Sequence, residues 1–169
     1  MGKRKTKKKG NFLVGFLLKV GIIALIIFLV LHFVIAIYRV DDNNMFPMMK
    51  DGDFCILYKL DDYYMNNVIL YKTDQGNKLG RIVAIGGQEV DFPEEGGFLV
   101  NGYMPSEEIM YQTFKAEESP VNYPIYVDEG SYFVMNDFRS DTKDSRQFGL
   151  VKKEDIIGKM LFILRRRSF

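Results

Sequence analysis

A mainly β domain of short antiparallel strands, carried behind one N-terminal transmembrane helix, is the fold this sequence predicts, and three observations predict it. Residues 20–38 form a run of 19 without a formal charge, mostly Ile, Leu, Val and Phe. All 22 acidic residues follow Val40, so residues 1–39 carry a charge of +8 and the remainder −7. Beyond Val40 the chain breaks into β-rich runs separated by Gly, Pro, Asn and Asp, the punctuation of strands and turns. A chain of 169 residues, 47% hydrophobic and 27% charged, suits one compact domain with an appendage and excludes a largely disordered protein.

The chain opens on a basic cluster, Lys3, Arg4, Lys5, Lys7, Lys8 and Lys9. Directly ahead of an apolar run, such a cluster is held in the cytoplasm by the positive-inside rule. The apolar run, as a helix rising about 1.5 Å per residue, spans about 28 Å and matches a bilayer's hydrocarbon core. Residues 12–18 extend it on the other side of Lys19, whose long stem carries its ammonium toward the head groups. A cleaved signal is the weaker reading, because no small-x-small site precedes Asp41. The expected organisation is a basic cytoplasmic tail at 1–11, a single-pass anchor at 12–38 and an extracytoplasmic β domain at 39–169. The lipid bilayer is therefore an expected partner. Nucleic acid is not, since the larger part of the chain is acidic. His32, inside the span, reads as structural.

In the outer domain, strands are expected at 54–60, 68–72, 79–90, 97–100, 132–135 and 156–164, folded as an antiparallel sandwich or barrel-like domain. Residues 91–128, with Pro93, Pro105, Pro120 and Pro124, read as loops at its edge. A single cysteine, Cys55, excludes an internal disulfide framework and a Cys-rich zinc site, and reads as a small core residue. A single histidine, within the apolar run, excludes a soluble His-based triad or His-ligated metal centre. No phosphate-binding glycine loop or Ca²⁺ loop is present, and neither cofactor nor metal is expected.

Three segments stand in an informative order: Asn44-Met45-Phe46-Pro47-Met48-Met49-Lys50-Asp51-Gly52-Asp53, then Gly80-Arg81-Ile82-Val83-Ala84-Ile85-Gly86-Gly87, then Asp137-Phe138-Arg139-Ser140-Asp141-Thr142-Lys143-Asp144-Ser145-Arg146-Gln147-Phe148-Gly149. The chain resembles the type I signal peptidases, membrane-anchored serine proteases with a Ser/Lys dyad. Met45, Pro47, Gly52 and Asp53 match that family's first box, Arg81 and Gly87 its second, and Asp137, Arg139, Asp144, Ser145, Arg146, Phe148 and Gly149 its third. The resemblance covers residues 38–164 and implies a signal-peptidase-like antiparallel β domain.

It also implies where chemistry is missing. Asn44 stands at the family's nucleophile position, Gly80 at its general base, and Asp42 where a Ser commonly helps to bind the oxyanion. Hydrolysis by this route needs a hydroxyl that loses its proton and a neutral amine that accepts it. An amide and a hydrogen atom supply neither, and a carboxylate opposes an oxyanion. Thr142 matches the Ser that orients the family's lysine, and a hydrogen bond to backbone is its expected role here. Lys78 shares the strand face of Gly80 but reads as a solvated lysine with no hydroxyl at position 44 to activate. Asp42, Asp137, Asp141 and Asp144 admit a carboxylate dyad or metal site, against which the resemblance makes Asp144 and Arg146 structural ion-pairing residues. Asp137 reads as a turn residue.

The resemblance extends to signal-peptidase-like proteins without the dyad that are associated with assembly of sortase-linked pili in Gram-positive bacteria. The expected function is that of a catalytically inactive accessory or chaperone that binds exported polypeptides, pilin subunits and sortase among them, without cleaving them. The alternatives are an active type I signal peptidase and a regulator that competes with one for precursors. Met45, Phe46, Met48 and Met49 supply either a flexible apolar lip or core packing.

Overall fold

The computed structural model describes residues 10–106, 111–117 and 120–165, so the basic cluster at Lys3 to Lys9 lies outside it. The chain divides at Val34 into two compact units. The first is a helix, α1 (Gly10–Leu29), whose last turn widens into a π turn at Val30–Val34. Phe12–Val34 are long and apolar enough to cross a membrane, and none of this stretch is buried by protein. Apolar side chains on every face and a backbone bonded within itself are what a lipid-facing helix requires. The His32 ring stacks on Phe28 and meets Phe33 edge-on.

The helix stops short of the sequence expectation. Ile35–Arg39 form a strand, β1, paired from Ile35↔Tyr58 to Arg39↔Phe54 with β2 (Phe54–Tyr58). Ala36 and Tyr38 pack on the core while Ile37 stays exposed. An apolar run alone does not distinguish helix from strand, and the pairing with β2 decides it.

The second unit contains β1, β2, β3 (Val68–Thr73), β4 (Gly76–Ile85), β5 (Glu89–Asp91), β6 (Leu99–Val100), β7 (Ile125–Tyr126), β8 (Ser131–Met135), β9 (Val151–Lys152) and β10 (Ile156–Leu164), with a four-residue helix, α2 (Ser145–Phe148). Seven strands form an antiparallel sheet in the order β1-β2-β10-β3-β4-β8-β9, and β6-β5-β7 form a smaller one. The mainly antiparallel β expectation holds. The single run expected at 79–90 is broken by a turn at Gly86-Gly87. A side chain at Gly86 would meet Glu129 Cα at 2.9 Å, and Gly87 has φ +83°, conditions that favour glycine. Residues 91–128 are more than an edge loop, because Phe92, Phe98 and Val127 from this stretch pack with Val90 and Phe133 in one core cluster.

Two further clusters fill the second unit. Met45, Met49, Cys55, Leu57, Leu70 and Leu79 belong to one; Ile69, Tyr71, Ile82 and Val134 belong to the other. Cys55 is fully buried, and burial pushes its thiol up to about 11, the behaviour of a core residue.

Candidate functional site

The first of the three segments folds as a loop between β1 and β2, closed by hydrogen bonds from Val40 N–H to Asp53 O (2.8 Å) and from Gly52 N–H to Val40 O (2.9 Å). Gly52 has φ +88°, and the Asp53 carboxylate accepts from Lys50 N–H at 3.2 Å. Met45 and Met49 plug the loop into the core, whereas Phe46 and Pro47 are exposed. Met48 is half-buried with the Arg81 guanidinium against its sulfur. Of the apolar lip, then, only Phe46 and its neighbours Pro47 and Met48 remain on the outside.

At the head of this loop Asn44 and Asp42 satisfy each other. Asn44 Nδ2 donates to Asp42 Oδ2 at 2.8 Å, and Asn44 N–H donates to Oδ1 at 3.1 Å. The loop is tied to the third segment where Phe138 N–H donates to Asn44 O at 2.9 Å. In acyl transfer the nucleophile's own N–H commonly helps to hold an oxyanion. Here a built-in carboxylate already occupies the N–H of residue 44.

Opposite this loop runs the first half of β4. Gly76 to Arg81 pair with β3, whereas pairing with β8 begins only at Arg81. Among the described residues no strand covers Gly76–Gly80 on the other side. Tyr38 reaches this edge: its hydroxyl donates to Asp41 Oδ1 at 2.9 Å and lies 3.3 Å from Asn77 O. The two-residue period of a strand then turns the N–H and C=O of Leu79 the same way as those of Asn77.

Gly80 is buried, and the space beside it is already filled. A Cβ there would stand 2.5 Å from Val134 Cγ1 and 3.3 Å from Tyr71 Cε1. Lys78 is not the solvated lysine expected from sequence. It is half-buried, with its ammonium 5.1 Å from the centre of the Phe148 ring, a cation–π contact.

The third segment is a buried polar network. Arg81 grips Asp137 with both Nε (2.7 Å) and Nη2 (2.6 Å), so Asp137, in the bend after β8, is also a buried ion-pair partner. Arg146 grips Asp144 through Nε (3.0 Å) and Nη2 (2.6 Å) and also donates to the carbonyls of Phe114, Arg139 and Asp141. Asp144 further accepts from Asn136 N–H and caps α2 through Arg146 N–H. Ser145 Oγ accepts from Val134 N–H at 2.9 Å, fixing the strand that fills the space beside Gly80. Arg139, also buried, lies over the Phe98 ring with Nη1 against Met135 sulfur. Thr142 is half-buried. Its carbonyl accepts from Asp144 N–H, while no hydrogen bond of its hydroxyl occurs among the described residues. Asp137 and Asp144 are thus committed to arginines, and no set of three His, Cys, Asp or Glu among the described residues is placed to hold a metal.

Burial raises the Asp42 carboxyl above the usual carboxylate range, and Asp41 and Asp141 add to this; Asn44 N–H and Lys78 oppose it. Folded Asp42 therefore holds its proton more tightly than in the unfolded chain, and stability falls as pH rises through that window. Urea melts of the detergent-solubilised protein are expected to show this decline as pH rises above the ordinary carboxylate range, and Asp42→Asn is expected to remove it. An unchanged profile in the variant contradicts the assignment.

The structure thus bonds Asn44 to Asp42, puts Lys78 within electrostatic reach of Asp42, leaves Phe46 exposed, and holds Arg81 on Asp137 and Arg146 on Asp144. Tyr38, Tyr71, Val134 and Phe148 were not legible as neighbours of this half of β4. Only the position of Lys78 two residues before Gly80 pointed to part of this surface.

Comparison with known proteins agrees with this frame. Residues 13–165 match the family described as signal peptidase, peptidase S26. The chain is 25% identical to signal peptidase IB of Staphylococcus aureus, over 89% of this chain and 88% of that one. It is 27% identical to signal peptidase I of Bacillus licheniformis, over 96% and 94%. A crystal structure of a signal peptidase I from Enterococcus faecalis superposes with a TM-score of 0.50 at 21% identity, covering 61% of this chain and all of the other.

Proposed function

The chain belongs to the signal peptidase family, peptidase S26, and from that premise we propose that it binds exported polypeptides without cleaving them. One observation carries the reading: an uncovered strand edge at Gly76–Gly80 faces a loop whose Asn44 and Asp42 are bonded to each other. An extended segment can add to such an edge through main-chain hydrogen bonds, with its side chains entering pockets on alternate sides. Hydrolysis requires more. Loss of a nucleophile or its base costs on the order of 10⁶ in turnover, without simple multiplication between parts that act together. Asn44 and Gly80 at those positions make the protein a pseudoenzyme, held by one apolar span with its N-terminus in the cytoplasm and its β domain outside. Its role is accessory or chaperone-like, in assembly of sortase-linked pili, with pilin subunits and sortase as partners.

The test uses the full chain in detergent micelles, offered signal-peptide-bearing precursors, pilin and sortase. Uncleaved precursor or pilin is expected to co-purify with it. Site-specific cleavage that disappears on mutation of an outer-domain residue overturns the inactive reading, and failure to retain any of these proteins overturns the binding role.

A further inference from the structure

Side chains alternate between the two faces of a strand. Across β1, β2 and β10 the register sets Tyr38, Cys55 and Ile163 in one row, and all three pack in the core. The rows on the other face are Ile37, Ile56 and Phe162, then Arg39, Phe54 and Leu164. In an antiparallel sheet whose second face meets water, these outward positions are ordinarily polar. Here most are apolar, and Ile37, Phe54, Phe162 and Leu164 are between 42% and 61% exposed. The register also slips between Met160 and Phe162. That bulge adds Leu161 to the exposed apolar set, as an extra residue in one strand does when it re-aims a side chain. A contiguous exposed apolar patch marks a surface made for a partner.

We propose that this face docks on the bilayer leaflet from which the chain emerges, with Arg39 and Arg165 at its margin holding anionic phosphate head groups. Two observations choose lipid as the occupant. The first is continuity: the membrane-crossing stretch ends at Val34 and β1 begins at Ile35, so the apolar surface of the strands starts where the chain leaves the hydrocarbon. The second is charge. The three strands contain no Asp or Glu, and their cations are Arg39 and Lys159. Lys159 is paired with Asp61. Arg39 is exposed, as is Arg165 directly after β10, and the sequence continues with Arg166 and Arg167. Of the acids that flank these strands, Asp53 is buried and Asp41 accepts from the Tyr38 hydroxyl, which belongs to the core-side row. Apolar side chains bordered by arginine suit the boundary between acyl chains and head groups, and a guanidinium matches a phosphate with two parallel hydrogen bonds. A second copy packed on this face would offer the arginines no carboxylate from the same strands.

The test uses the full chain, a single copy in each lipid nanodisc, with a nitroxide on Ile37→Cys, on Phe162→Cys or, in the turn between β3 and β4, on Gln75→Cys. Cys55 is wholly buried and takes no label. Collision with oxygen reports hydrocarbon, and collision with a water-soluble nickel chelate reports solvent. In discs containing phosphatidylglycerol, the labels at positions 37 and 162 are expected to favour oxygen and the label at position 75 to favour nickel. Nickel contact at positions 37 and 162 overturns the docking. Shielding of those positions that appears only when a disc holds two copies assigns the face to a dimer and overturns it equally. For the head groups, docked and free populations are read from the two-component spectrum of the Phe162→Cys label. Their ratio is expected to fall about fivefold for each of Arg39→Gln and Arg165→Gln, the worth of one basic residue at an anionic surface, and to fall again when phosphatidylcholine replaces phosphatidylglycerol. Both arginines are exposed, so urea melts of these two variants are expected to match the native protein. A ratio indifferent to the arginines and to the lipid overturns the proposal.

Discussion

Arg146→Ala will lower the unfolding free energy of the outer unit by about 3–5 kcal/mol, the cost of stranding one member of a buried ion pair. Both Arg146 and Asp144 are wholly inaccessible to solvent. Once the guanidinium is gone, Asp144 is left as a lone buried charge, and the carbonyls of Phe114, Arg139 and Asp141 lose a donor. The third segment then loses the tie that holds its turn to α2. The chain has no tryptophan and 10 tyrosines, so urea unfolding in micelles is followed by tyrosine emission. The double variant Asp144→Asn with Arg146→Met is expected to lose less than the two single variants together, since neither partner is abandoned with its charge. A loss below about 1 kcal/mol for Arg146→Ala is the size of a surface bridge and would refute a structural role for the pair.

Gly80→Lys is the second substitution with a large effect, and its cost is steric before it is electrostatic. The first carbon of any side chain there collides with Val134 Cγ1 at 2.5 Å. Val134 is fully buried, and its N–H is bonded to Ser145, so it has little room to retreat. Overpacking of this kind costs about 1–3 kcal/mol. Adding Val134→Ala is expected to return part of that loss, so the double variant melts above Gly80→Lys alone. The same clash governs any attempt to install a dyad. Asn44→Ser, Asp42→Ser and Gly80→Lys together are expected to give precursor cleavage only when Val134→Ala accompanies them. Gly80→Lys melting like the native protein shows the space to be free and removes this expectation.

Much of the frame was readable because its signals are local or strongly patterned. Residues 12–34 are apolar on every side, which leaves a helix in lipid as the fitting solution. The turn residues between short β-rich runs marked most strands. The spacing of Asp137, Asp144 and Arg146 indicated a motif whose ion pairs the folded chain displays. What escaped depends on partners distant in sequence. Residues 35–38 joined the anchor on composition, and only pairing with β2 makes Ile35–Arg39 a strand. Arg81 and Asp137 are 56 residues apart, so nothing near Asp137 foretells its buried salt bridge. Lys78 read as solvated because Phe148, whose ring it covers, lies far along the chain. Val134 looked like any strand valine, and the space it fills beside Gly80 exists only once β4 and β8 are side by side.

The mutual hold of Asp42 and Asn44 also bears on chemical reagents. Boronic acids and strained lactams inhibit serine hydrolases by accepting an oxygen nucleophile and lodging the resulting negative charge on nearby N–H donors. This loop has no hydroxyl at residue 44 to attack them, and the N–H of that residue is already taken by a carboxylate. Such electrophiles are expected to pass the protein by, and covalent labelling of it by either reagent contradicts the proposed inactivity.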